Sequence, residues 1–204
     1  MALTMNPGSH DAGLADMEPD GIEWRHAWMP SQPHETELVR RLPALQRLLL
    51  STDGTVTTAL GTLIDEPIGV WLLDQELHSL DYDDYELQLE AGRQALIRRV
   101  LLYGSRSGTP LLFGSSRIAL SRLPRAAGDA LRSGDVPIGL VLRTHHIETF
   151  RAPLSIGVKP ASEEAAALLG AGLMCRRTYA IEAGGLPIMI VQEQFRAGGF
   201  AETS

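Results

Sequence analysis

Two short stretches place ionisable side chains among apolar neighbours. In LPIMIVQEQF, residues 186–195, a β-strand sends alternate side chains to opposite faces. Met189, Val191, Glu193 and Phe195 then share one face, and Ile188, Ile190, Gln192 and Gln194 the other. A carboxylate in that company must meet a cation, meet hydrogen-bond donors, or keep its proton. In LIRRVLL, residues 96–102, the same alternation divides Arg98 and Arg99 between two faces, so one guanidinium points inward. A buried guanidinium needs an anion, and its planar fork suits a carboxylate. The pattern leaves three outcomes open. Glu193 and an inward arginine line one polar cavity, they pair with each other in the core, or both lie exposed on edge strands.

Other clusters carry less chemistry. RTHHIETF, residues 143–150, gathers His145, His146 and Glu148. Adjacent histidines converge poorly on one ion and no third cluster has ligand spacing, so a metal centre is not expected; one imidazole could still touch a ligand. Arg176-Arg177 again divides between two faces and offers a second anion contact. GSSR, residues 114–117, has no Gly-x-Ser-x-Gly elbow, and GAGLMC lacks the last glycine of a dinucleotide fingerprint and follows a helix instead of opening one. The acidic run DYDDYELQLE, residues 81–90, fits a solvated loop or helix start.

The elements that must hold these groups follow from periodicity and punctuation. HETELVRRLPALQRLLLSTDG suggests helical segments, the second opened by Pro43, while TVTTALGTLID fits a short helix or an extended segment. Strands are expected over 68–77, 94–104, 109–120, within MCRRTYAIEA and over LPIMIVQEQF, with hairpins at SRSG and Gly184-Gly185. Helices are expected over 121–134 and over 161–172 with Ser162 as N-cap. Hairpins with helices inserted between them favour one α+β domain with an antiparallel sheet. Its expected limits are 34–198, between a flexible leader at 1–33, with Trp24 and Trp28 able to dock, and a tail at 199–204.

With 204 residues, 44% of them hydrophobic, the chain can build one ordinary core. A net charge of -7 argues against general binding to nucleic acid or anionic membrane. The single Cys175 forbids an internal disulfide and fits packing in a reducing cytoplasm. No apolar run is long enough for a membrane span, and the first residues lack the pattern of a signal peptide.

The succession LLLSTDGTVTTAL, LIRRVLLYG, RIALSRLP, DVPIG, HHIETF and RRTYAIEAGGLPIMIVQEQF, over about residues 44–196, resembles the chorismate pyruvate-lyase family, most closely its actinobacterial-type branch. That resemblance implies an antiparallel sheet with helices packed on it, enclosing a buried ligand pocket. It implies removal of pyruvate from chorismate to leave 4-hydroxybenzoate, without metal or organic cofactor, for secondary-metabolite, quinone or glycolipid synthesis. It places a carboxylate-binding role on Arg98 and a catalytic role on Glu193. The Pro137-Ile138-Gly139 turn would hold a carboxylate through backbone N–H groups. Ile138 replaces the family's leucine, a mild change for a backbone contact. Val56 or Thr55 stands where the enterobacterial type has a pocket methionine, which alters the pocket floor. Arg177 would aid anion binding, and His146 or Glu148 would reach the pocket. Glu193 would hydrogen-bond the C4 hydroxyl or act as general acid.

Two other functions share the resemblance. One is a same-fold enzyme acting on another substrate or making another hydroxybenzoate isomer. The other is a non-catalytic effector-binding module of the kind found in bacterial transcription regulators; residues 1–43 look too short and irregular for the DNA-binding helices that normally precede one. The sequence says nothing of oligomeric state.

Overall fold

The structure, a computed structural model, describes residues 33–134 and 136–200. The expected leader lies outside these residues except for Pro33, and so does the expected tail beyond Phe200. Three short helices come first: α1 (Pro33–Arg41), α2 (Ala44–Ser51) and α3 (Val56–Ile64). Pro43 is the residue before α2, where its missing N–H costs nothing. The ambiguous TVTTALGTLID is helix α3, despite its β-branched content. Val56 and Leu60, one turn apart, are both buried, and packing of that stripe overrides weak propensity.

Six strands follow: β1 (Ile68–Ser79), β2 (Gln94–Gly104), β3 (Pro110–Ile118), β4 (Phe150–Pro160), β5 (Leu173–Ala183) and β6 (Leu186–Arg196). They form one sheet in the order β1-β2-β3-β6-β5-β4, with every neighbouring pair antiparallel. The β5–β6 hairpin turns on Gly184 and Gly185 at φ 58° and 79°, the left-handed region that glycine enters without a Cβ clash. Strand β4 was not expected, because Pro153 and Pro160 interrupt its pattern. It is an edge strand, where a missing donor is tolerated, and its register slips between Pro153 and Ser155.

The remaining helices are α4 (Arg125–Arg132), α5 (Ile138–Thr144) and α6 (Glu163–Leu169), with a 3₁₀ turn over Leu120–Arg122. Ser162 caps α6 as expected, its hydroxyl accepting from the Ala165 N–H at 3.2 Å. The domain is therefore α+β, a single antiparallel sheet with helices packed on it.

One face of the sheet carries two apolar clusters. Leu49, Leu50, Val56 and Leu60 of α2 and α3 pack on Leu102, Leu112 and Phe195. Ala127, Leu131, Val141 and Leu142 of α4 and α5 pack on Ile118, Ile181 and Met189. The cavity described below lies where the two meet. On the other face, Ala165 and Leu169 of α6 cover Leu101, Phe113 and Met174. Cys175 packs in the first cluster, with burial pushing its thiol up to about 12. Beyond the sheet, the Phe200 ring packs tilted against that of Phe195 with centroids 6.0 Å apart, and Gln46 donates to the Gly199 carbonyl at 2.5 Å.

Candidate active site

Antiparallel register aligns side chains in rows across the sheet. One row runs Val100, Gly114, Glu193, Arg177 over β2, β3, β6 and β5. The next runs Arg98, Ser116, Val191, Tyr179, Pro153 and reaches β4. Arg98 and Glu193 thus stand on strands separated by β3, about 10 Å apart at the backbone. Between them lies Gly114, where an added Cβ would come within 3.3 Å of Val100 Cγ2. The absent side chain leaves room above the sheet, and a cavity of about 70 Å³ opens there.

Each oxygen of the carboxylate at one end accepts one hydrogen bond. Glu193 is 6% exposed; its Oε2 accepts from Arg177 Nε at 2.5 Å and its Oε1 from the Tyr179 hydroxyl at 3.1 Å. Arg177 is fully buried and also donates through Nη1 to the carbonyls of Leu49 and Thr52, both at 2.8 Å. Its guanidinium carbon lies 5.0 Å from the Tyr179 ring centroid, within cation–π range. Burial opposes the charge of Arg177, but the adjacent Glu193 outweighs it and raises the guanidinium above its ordinary value. Burial, followed by the Glu193 charge, pushes the Tyr179 phenol well above its usual range, so it stays a neutral donor.

Arg98, 2% exposed, reaches the opposite end. Its Nη2 donates to the carbonyls of Gly134 at 2.7 Å and Val136 at 3.0 Å. The loop that wraps it depends on Gly134 at φ 89°, where a Cβ would meet Leu72 Cδ2 at 2.5 Å. Pro137 then caps α5, so Ile138 and Gly139 occupy its first turn, where N–H groups have no acceptor within the helix. A Cβ on Gly139 would lie 2.9 Å from Thr55 Cγ2, so the glycine lets α5 close against the start of α3.

Arg98, Glu193, Val56, Ile138 and Gly139 all line this one cavity. Val56 does so from the helical side rather than the sheet floor. Arg177 does not line it; its Nε and Nη1 donate to protein acceptors, and its Nη2 is buried without a hydrogen-bond partner. His146 is exposed in the turn after α5, at φ 52°, and Glu148 is exposed as well; neither lines the cavity. Two ionisable lining residues were missed. Tyr179 shares strand parity with Arg177 and could have been found from that. Arg151 was hidden because its strand was not recognised. Among the described residues no group of three or more His, Cys, Asp or Glu side chains could hold a metal ion.

A family model described as "Chorismate pyruvate-lyase Rv2949c-like" matches residues 50–200. The "Chorismate pyruvate-lyase" of Mycobacterium leprae (strain TN) is 32% identical over 180 residues, covering 86% of this chain and 85% of that protein. Its counterpart of the same name in Mycobacterium tuberculosis H37Rv is 28% identical over 180 residues, covering 80% and 85%. The "Putative lyase MJ0807" of Methanocaldococcus jannaschii is 28% identical over 156 residues, covering 76% and 79%. Among solved structures, PhnF from Mycobacterium smegmatis aligns with a TM-score of 0.56 at 18% identity, over 71% of this chain and 64% of that chain. The effector domain of PhnF alone aligns with the same TM-score of 0.56, over 72% of this chain and 90% of that chain. At such identities the structural likeness shows the fold alone.

Proposed function

Since this chain belongs to the Rv2949c-like chorismate pyruvate-lyase family, we propose that it eliminates pyruvate from chorismate and leaves 4-hydroxybenzoate. The observation that carries this reading is one cavity walled at one end by Arg98 and at the other by Glu193. Chorismate bears a ring carboxylate at C1, an enolpyruvyl ether at C3 and a hydroxyl at C4. Arg98 with the Ile138 and Gly139 N–H groups would take the C1 carboxylate, and Glu193 would accept from the C4 hydroxyl opposite it. Both Glu193 oxygens already accept hydrogen bonds, which suits a further acceptor role better than proton donation.

The reaction breaks the C3–O bond and removes the C4 hydrogen. The ring becomes aromatic, and the methylene of the leaving enolpyruvyl group gains a hydrogen to give pyruvate. Aromatisation supplies the driving force, so the protein's task is to orient the ring and to stabilise charge developing on the leaving oxygen. Direct transfer of the C4 hydrogen to the methylene balances this without any protein acid. No metal or organic cofactor is required in this scheme, and it runs in the cytoplasm. The product would feed secondary-metabolite, quinone or glycolipid synthesis. Among the described residues no helix is long and apolar enough to cross a membrane.

The helical wall of the cavity is formed where Thr55 and Val56 meet Ile138 and Gly139. A second reading, a ligand-binding module, has the PhnF-like fold in its favour. Incubating purified protein with chorismate, without added metal, and separating products by chromatography distinguishes the two. Pyruvate and 4-hydroxybenzoate in equal amounts support the lyase. Tight chorismate binding without turnover favours the module, and another aromatic product points to a shifted specificity.

A further inference from the structure

Arg151 has no role in the scheme above, yet it lines the same cavity. It lies on β4 opposite Ile181, two pairs along from Pro153 opposite Tyr179, so it is the diagonal neighbour of Tyr179 on the cavity face. Its Nη1 donates to the Asp53 carbonyl at 2.9 Å, in the loop joining α2 and α3. Its Nε is buried without a hydrogen-bond partner. A buried donor left without an acceptor is costly and needs an explanation. Nε and Nη2 form the guanidinium edge that meets a carboxylate with two parallel bonds. Among the described residues no carboxylate is paired with Arg151.

The substitution pattern of chorismate says which carboxylate belongs there. With the C4 hydroxyl at Glu193, the C1 carboxylate, para to it, points away toward Arg98 and α5. The C3 ether adjoins C4 and stays on the Glu193 side, beside Tyr179. We propose that Arg151 anchors the carboxylate of the departing enolpyruvyl group, through its Nε edge. It would hold the leaving group while the C3–O bond breaks, and would tie substrate to the Asp53 loop that leads into α3.

This inference rests on the chorismate reading, and its test separates the two. Chorismate turnover and 4-hydroxybenzoate binding are measured for the wild type, Arg151→Gln, Arg151→Lys and Arg98→Gln. The product lacks the enolpyruvyl group. Arg151→Gln should raise KM for chorismate at least about tenfold while the Kd for 4-hydroxybenzoate stays within about twofold. Arg98→Gln should weaken both ligands. Arg151→Lys keeps the charge without the fork, preserves the fold should the glutamine variant lose it, and should fall between wild type and Arg151→Gln. An unchanged chorismate KM in Arg151→Gln, or an equal loss of 4-hydroxybenzoate affinity, overturns the proposal while leaving the lyase reading intact. A wild type that does not turn over chorismate overturns both.

Discussion

Arg98 and Arg99 are adjacent in the chain and occupy different media, and Arg177 and Arg176 repeat the arrangement on the other half of the sheet. Arg98 and Arg177 point into the face covered by α2 to α5, where both are nearly or fully inaccessible. Arg99 points to the other face with 39% of its side chain exposed, paired with Asp74 and Glu164. Arg176 is partly buried and donates to Gln194 at 3.1 Å. The Asp74 hydrogen bond raises Arg99, as Glu193 raises Arg177, so the direction of the shift does not distinguish the two faces. Solvation does. Surface ion pairs compete with water and contribute little, whereas a buried charge deprived of its partner is left stranded. Two residues of one type, one position apart, are therefore expected to differ severalfold in energetic weight, and of these four arginines only Arg98 lines the cavity at the starts of α3 and α5.

The largest break in this contrast is Arg177→Met. It strands Glu193 with Tyr179 alone and removes the two bonds to the Leu49 and Thr52 carbonyls, so unfolding stability should fall by about 3–5 kcal/mol in a urea titration. Tyr179→Phe removes one donor from a buried carboxylate and should cost about 1–3 kcal/mol, with a turnover defect at unchanged fold, checked by circular dichroism and steady-state kinetics.

Asp84 offers a weaker test, in the loop on the outward side. Burial works against its charge, but hydrogen bonds from Arg117, at 2.6 Å, and from the Leu87 N–H outweigh it and hold its pKa below the ordinary carboxylate value. Its contribution is therefore complete above the unfolded value and lost as pH falls through the lower folded one. Asp84→Asn should cost about 1 kcal/mol at pH 7, and the deficit relative to wild type should shrink below about pH 4. The smallest effect is expected from Arg99→Ala, a few tenths of a kcal/mol and screened by salt.

Strand parity made the inward carboxylate and the inward arginines legible before any fold was known. The bounds of β2 follow from its apolar run, and the caps of α2 and α6 from Pro43 and Ser162. What parity could not supply was pairing across strands. Parity left open whether Glu193 pairs with an inward arginine or shares a cavity with one; register sets it beside Arg177 on β5, while Arg98 lines the same cavity from β2. Prolines concealed β4 and with it Arg151, because a sequence pattern does not reveal which strand lies at a sheet edge. Helix α5 was read only as a turn, its seven residues being too few to show a period. His146 drew attention by type, but a left-handed turn after α5 leaves it on the surface.

The central claim is that the inward face, and not the outward one, removes pyruvate from chorismate. Its most direct test is continuous measurement of pyruvate release from chorismate by the wild type, Arg98→Gln and Arg99→Gln. Wild type should release pyruvate and 4-hydroxybenzoate in equal amounts, Arg98→Gln should fall by a factor of about 100 or more, and Arg99→Gln should remain within about twofold. No pyruvate from the wild type, or equal damage from the two substitutions, would contradict the account.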